Sequence, residues 1–366
     1  MSKSLTKLIK SSKDNFKKSL IGLTTGAMLY AGAFCLSPKY VYAQTQQINL
    51  SVGNFPQSVA IGDANNDSKN DIVTANANSN NVSFLRWNGN SFDPQINLPV
   101  GDYPISVAIA DADNDGDNDI VTANLNSRNI SLIKWDGNSF GPQIILPVAN
   151  QPTKVVIADV DNDGDRDIIT SNYYPSPCVS LIRWNGTGFD PYVTFSTAPY
   201  THSVAIGDVN NDSKNDIVTA NYVPKKISVL LWNGTGFNPY STLDAGDYPE
   251  DLVIADANND GYNDVVVANS AHDGGVSNIS LFKGNGTSLD SQIQLTAGHH
   301  IDSVAVGDAN NDGYNDIVCT NRDDNSVSLL KWNRTEFDSP LNMSVGTYPL
   351  SVAIGDANND RLNDIV

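Results

Sequence analysis

SVAIGDANNDSKNDIVTAN, residues 58–76, is the stretch whose reading decides the fold. Its acidic centre returns as ADADNDGDND from Ala110, ADVDNDGDRD from Ala158, GDVNNDSKND from Gly207, ADANNDGYND from Ala255, GDANNDGYND from Gly307 and GDANNDRLND from Gly355. The leading aspartates Asp63, Asp111, Asp159, Asp208, Asp256, Asp308 and Asp356 lie 48, 48, 49, 48, 52 and 48 residues apart. A near-constant period of this size means copies of one supersecondary unit stacked on each other.

Counting from the leading aspartate, each loop places oxygen side chains at positions 1, 3, 5 and 9. These are Asp63, Asn65, Asp67 and Asp71 in the first copy, Asp111, Asp113, Asp115 and Asp119 in the second, and Asp159, Asp161, Asp163 and Asp167 in the third. The fourth and fifth have Asp208, Asn210, Asp212, Asp216 and Asp256, Asn258, Asp260, Asp264. The sixth and seventh have Asp308, Asn310, Asp312, Asp316 and Asp356, Asn358, Asp360, Asp364. Calcium takes six to eight oxygen ligands at flexible geometry, and alternate residues of a curled loop converge on one ion. The pattern therefore predicts up to seven calcium ions, one per repeat. It is not an EF-hand, which needs a glutamate at position 12 and flanking helices; here position 12 is Thr74 and the flanks are strand-like. Asp/Asn-rich turns would be the plainer reading of any single copy. Position 6 must turn sharply, which suits Gly116, Gly164, Gly261 and Gly313 better than Ser68, Ser213 or Arg361.

Around each loop the unit keeps one plan. Ser106–Ala110 leads in, Asp119–Ala123 leads out, Ile130–Trp135 follows, and Gln143–Val148 precedes a Gly/Pro connection. That makes four short strands bounded by turn residues. The first two are apolar on successive residues, as expected when both faces are covered. Four strands in 40–50 residues specify an all-β fold, a β-propeller of four-stranded antiparallel blades. Gln47–Val52 (QINLSV) copies the fourth strand Gln95–Val100 (QINLPV), so the N-terminal strand is expected to close a seventh blade. The units run about 58–100, 106–148, 154–197, 203–245, 251–297, 303–345, and 351–366 plus 47–52; the seventh is incomplete, stopping inside its second strand.

With these motifs in view, residues 47–366 resemble the FG-GAP/VCBS repeat family, the extracellular calcium-binding propellers that include the head of integrin α subunits. SVAIGDANNDSKNDIVTAN and VSFLRWNGNSF from Val82 carry the likeness. The Phe-Gly/Gly-Ala-Pro signature of the integrin version is absent, which makes the bacterial-type repeat the nearer match. The resemblance implies a secreted adhesion or ligand-binding scaffold; a carbohydrate-binding lectin-type propeller or a polysaccharide lyase or hydrolase are the alternatives.

Residues 1–43 read as a signal peptide, with a lysine-rich start, the apolar stretch Leu20–Leu36 and the small-residue site Val41-Tyr42-Ala43; residues 44–366 form the propeller. Without the leader's seven lysines and one aspartate the net charge moves from −19 to −25, a field that excludes nucleic acid and anionic membranes. The expected setting is secreted, cell-surface or periplasmic, where calcium is abundant. The expected partner is an extracellular protein or glycan, and the expected state a monomer without membrane insertion. Cys178 and Cys319 read as small buried residues too distant to bridge. Trp87, Trp135, Trp184, Trp232 and Trp332 recur at one position, which Lys283 fills in the fifth unit, and suggest packing at the end of an apolar strand. The face away from the acidic loops gathers Tyr103, Tyr173, Tyr174, Tyr200, His202, Tyr222, Tyr248 and Tyr348, with His272, Asp273, His299, His300 and Asp302 as a further cluster; variable loops of this kind suit recognition. No nucleophile motif or phosphate-cradling loop occurs, so no enzyme activity is expected.

Overall fold

The computed structural model describes residues 19–23, 46–174, 177–271 and 277–366. Its six complete blades are four-stranded antiparallel sheets in simple 1-2-3-4 order. In the first blade the strands are Pro56–Gly62, Asp71–Asn76, Asn81–Leu85 and Ile96–Pro99. The other five begin at Pro104, Pro152, Thr201, Pro249 and Val304. Second strands such as Asp119–Asn124 are buried at every residue, which explains their continuous apolar runs. First strands line the axis and alternate bulk to fit the taper. A β-carbon on Gly207 would lie 2.8 Å from Ile254 Cγ2 of the next blade, so a larger residue there would make that side chain shift.

The core lies between blades rather than within one. Val73, Ala75, Val82 and Phe84 of the first blade pack with Val107, Ile120 and Ile133 of the second. The same arrangement recurs between each later pair. Val52, from the N-terminal segment, packs with Ile72, Leu85, Ala357 and Val366.

The seventh sheet departs from the expectation. Ile354–Gly355 and Asp364–Ile365 pair antiparallel. Ser19–Leu23 then joins Asp364–Ile365 in parallel, and Gln46–Leu50 joins Ser19–Leu23 in parallel. Six antiparallel blades are therefore present, against the seven expected. The physical reason is an edge: among the described residues Asp364–Ile365 has no antiparallel partner beyond Ile354–Gly355, and its exposed backbone groups accept Ser19–Leu23 instead. Of the expected leader only Ser19–Leu23 is described; the rest lies outside the described residues, as do His272 and Asp273.

Hydrogen bonds between neighbouring acidic loops form a closed circle. At six of the seven junctions the asparagine at position 4 of one loop accepts from the backbone N–H at position 8 of the next, as Asn66 Oδ1 does from Asn118 at 3.2 Å and Asn311 Oδ1 from Asn363 at 2.7 Å. The position-8 amide returns the contact, Asn118 Nδ2 donating to the Asp63 carbonyl at 2.8 Å and Asn363 Nδ2 to that of Asp308 at 2.9 Å. The circle closes where Asn70 donates to Asn359 Oδ1 (2.8 Å) and to the Asp356 carbonyl (2.9 Å). Position 4 adopts φ of 52–62° in all seven loops, a left-handed conformation that asparagine tolerates well. In the third loop Arg166 stands at position 8 and keeps only its backbone part of this clasp.

Arg166→Asn supplies the missing amide and should raise the thermal midpoint by a few degrees, from about 1 kcal/mol per added hydrogen bond. Asn118→Ala should lower it by a similar amount. Calorimetry at fixed calcium checks both; a neutral Asn118→Ala would mean that the clasp contributes nothing.

Candidate metal centres and the opposite face

Each acidic loop shapes itself before any ion is considered. Asp63 accepts from the backbone N–H of Asp67 with one oxygen (2.9 Å) and from that of Ser68 with the other (2.7 Å). Asp67 in turn accepts from the N–H of Lys69 (3.1 Å). The same bonds return in the other loops, as between Asp111 and the N–H groups of Asp115 and Gly116. Position 6 has positive φ throughout, including 64° at Ser68, 65° at Ser213 and 72° at Arg361, where a β-carbon is carried against preference.

Position 9 ties the loop to the third strand. Asp71 Oδ1 accepts from the Trp87 N–H (2.8 Å), Asp119 from Trp135 (3.1 Å), and Asp167, Asp216, Asp264 and Asp316 from Trp184, Trp232, Gly284 and Trp332. The fifth-unit counterpart of the tryptophans is thus Gly284, not Lys283, which corrects the sequence alignment. A β-carbon on Gly284 would lie 2.2 Å from the Asn263 carbonyl oxygen, so no larger residue fits. Each tryptophan meets a phenylalanine of its own turn edge-on at about 5 Å, as Trp87 does Phe92, in agreement with a packing role.

The position-9 carboxylates are fully buried or nearly so. Burial, opposed by the backbone N–H above and helped by neighbouring loop carboxylates, pushes Asp71, Asp119 and Asp167 up to about 7 and Asp216, Asp264 and Asp316 up to about 6. Carboxylate oxygens of Asp111, Asp113 and Asp115 lie within 4.8 Å of one another, as do those of Asp159, Asp161 and Asp163. Three buried oxygens in these loops, Asp71 Oδ2, Asp113 Oδ1 and Asp161 Oδ1, have no hydrogen-bond partner. Such orphaned anionic oxygens fit a cation.

The structure balances the charge in two ways that the sequence reading missed. Where position 3 is asparagine, its amide can donate inward: Asn258 Nδ2 to Asp264 (3.2 Å) and Asn310 Nδ2 to Asp316 (2.7 Å). Where carboxylates crowd, a basic residue just before the tryptophan reaches in. Lys134 pairs with Asp113 and Asp115, Arg183 with Asp161 (2.7 Å), and Arg86 with Asp67 (2.8 Å). Their signal was present as Arg-Trp and Lys-Trp pairs at a fixed distance from the loop.

On the opposite face Phe55, Tyr103, Gln151, Tyr200 and Tyr248, each just before a first strand, and His300 and Tyr348 at the matching places of the last two units, have φ of 52–59° in the left-handed range. Its carbonyl accepts from the residue after the second strand, as Tyr103 does from Leu125 (3.0 Å) and Tyr200 from Tyr222 (2.9 Å). The expected aromatic cluster does assemble: Tyr173 lies 5.3 Å from Tyr200 and 6.0 Å from His202, and Tyr222 lies 5.0 Å from Tyr248. His299 binds Asp324, while His300 and Asp302 gather around Arg322. Cys178 and Cys319 are buried free thiols, as expected, and burial pushes Cys319 up to about 12.

A propeller whose blades carry an acidic loop between the first and second strands is the class that fold and site define. The chain belongs to the FG-GAP-like repeat family, whose pattern matches residues 63–122, 113–170, 208–267, 256–319 and 308–366. No curated protein matches the sequence. By fold it is similar to hydrazine synthase of Kuenenia stuttgartiensis, at 12% identity over 89% of this chain and 99% of that one, TM-score 0.60. It is also similar to BBS1N in complex with ARL6DN, at 12% identity over 85% and 87%, TM-score 0.56. A functionally unknown protein from Desulfotomaculum acetoxidans gives 14% identity over 81% and 92%, TM-score 0.57. Identities this low show the fold alone. No helix among the described residues is long and apolar enough to cross a membrane.

With calcium limiting, the second and third loops should fill first and the Arg361 loop last, because ligand charge sets affinity and position 6 sets strain. Lys134→Met should tighten the second loop several-fold by removing its resident competitor. Terbium luminescence sensitised by Trp135 reads that loop; a weaker site in the variant would show that Lys134 assists the ion.

Proposed function

We propose that the protein is an exported, calcium-stabilised propeller of seven blades that serves as an extracellular ligand-binding or adhesion scaffold without enzymatic activity. The observation that carries the calcium reading is the set of buried carboxylate oxygens without partners in loops rich in further oxygen donors. Positions 1, 3, 5 and 9 of each loop would hold the ion, which would neutralise the acidic cluster. Support for seven units comes from the seven-membered circle of loop clasps and from Val52 packing against Ile72 and Val366. The apolar run Leu20–Leu36 and the acidic remainder favour export to a calcium-rich compartment. The ligand, a protein or a glycan, would meet the face opposite the loops, where the units differ most.

Thermal unfolding in calcium and in excess chelator tests this reading. At about 2 mM calcium and a dissociation constant near 0.1 mM, each filled site adds roughly 1.8 kcal/mol, so several sites should move the midpoint by tens of degrees. An unchanged midpoint would reduce the loops to acidic turns.

The pH dependence of stability should also differ between the two states. Six position-9 carboxyls are raised above their ordinary 3.8 when no ion is bound, so the folded chain holds protons that the unfolded chain has released. In chelator, stability should be greatest below about pH 4 as far as these groups are concerned, and fall as pH rises towards 7. In saturating calcium, which selects the ionised form, these groups should contribute almost no slope between pH 5 and 8, because folded and unfolded chains are then both deprotonated. Midpoints at pH 5 and pH 8 with and without chelator check the difference.

A further inference from the structure

The first strands of five blades carry a bulge at their second residue: the register shifts between Pro56 and Ser58, Pro104 and Ser106, Pro152 and Lys154, Thr201 and Ser203, and Pro249 and Glu250's follower Asp251. A bulge removes its residue from the ladder and re-aims the side chain. The residues so released, Gln57, Ile105, Thr153, His202 and Glu250, all line one cavity of about 310 Å³ at the mouth of the central channel, with Asp302 and Leu350 in the corresponding places of the last two units. That volume lies at the small end of ligand pockets.

The mouth is divided by character. Ile105, Leu125 and Leu350 make one side apolar. On the other side three carboxylates, Glu250, Asp251 and Asp302, face two permanent cations, Lys154 and Arg322. Lys154 is committed to Asp251 at 3.1 Å, and burial of that carboxyl is outweighed by Lys154, Ser203 and Ser303, which hold it below its ordinary value. Arg322 is shared between Asp302 (3.2 Å) and His300 (2.7 Å to Nδ1). Glu250 meets the His202 imidazole at 3.2 Å. Asp302 Oδ2 is buried and has no hydrogen-bond partner. Burial pushes the Asp302 carboxyl up to about 7; Arg322 opposes this, and the charges of Glu250, Asp323 and Asp251 add to it. Next to His202 stand the rings of Tyr173 and Tyr222, whose faces attract cations, and Lys225 already lies 5.3 Å from the neighbouring Tyr248 ring.

We propose that this mouth binds a small organic cation, a primary ammonium on an apolar body, with the ammonium between Glu250 and Asp302 and the body towards Ile105 and Leu350. The proposal rests on the reading that this face binds a ligand and names its chemical class.

Titration calorimetry of the calcium-saturated protein with 2-phenylethylammonium, and with the neutral 2-phenylethanol and glucose, tests it. The ammonium should bind saturably at one site, and the alcohol at least about tenfold more weakly, because it lacks the charge that the carboxylates attract. Glu250→Gln and Asp302→Asn should each weaken the ammonium about tenfold with no loss of the calcium-dependent midpoint. Ile105→Trp, which fills the apolar side, should abolish binding and serves where Glu250→Gln disturbs His202. Equal binding of the alcohol, or no saturable ammonium binding, overturns the proposal. Glucose binding lost on Glu250→Gln would overturn the cation while leaving the binding face in place.

Discussion

A carboxylate with almost no exposure to solvent sits at the base of every acidic loop, and the rest of the blade is arranged around it. Asp71, Asp119, Asp167 and their counterparts receive the N–H at the end of the third strand, and so fix that strand to the turn between the first two. A buried charge is costly unless it is paired or hydrogen-bonded. The loop answers with backbone N–H groups, with an asparagine amide at position 3, or with Lys134, Arg183 and Arg86 reaching across. A divalent cation answers the same demand more fully, because it can satisfy several oxygens at once.

The two faces of the disc follow different rules. On the loop side every unit repeats the same backbone bonds and clasps its neighbour, so the face is nearly symmetric. On the other side the backbone also repeats, with a left-handed residue ahead of each first strand and, in five blades, a bulge within it. The side chains presented there do not repeat. Symmetry holds the ring together, and its local failure creates a place where one molecule can be told from another.

Much of this was legible in the sequence because it depends on local pattern. The period, the four strands, the doubly buried second strand and the ligand positions all follow from residue types at fixed spacing. What escaped depends on contacts between units. Asn66 and Asn118 belong to adjacent repeats, and nothing in either repeat alone says that they touch. Position 283 was matched to the tryptophans, whereas the hydrogen bond to Asp264 shows that Gly284 is the counterpart. The last sheet was legible only in part: Gln46–Leu50 joins it, as its likeness to a fourth strand suggested, but Ser19–Leu23 pairs between it and Asp364–Ile365 from outside the repeats. Of the bulged residues only His202 was singled out beforehand, because the others read as ordinary members of a strand. Their signal was a single column of unlike residues inside otherwise matching repeats: Gln57, Ile105, Thr153, His202 and Glu250, with Asp302 and Leu350 at the same place in the last two units.

That column has an evolutionary meaning. A bulged residue gives up its place in the ladder, so exchanging it leaves the pairing of the sheet intact. Stability is invested in the neighbouring serines and in the acidic loops roughly 20 Å away along the first strand. The mouth is therefore free to drift. Seven positions, one per unit, can be rewritten independently, and a lineage could acquire a new specificity without first acquiring a new fold.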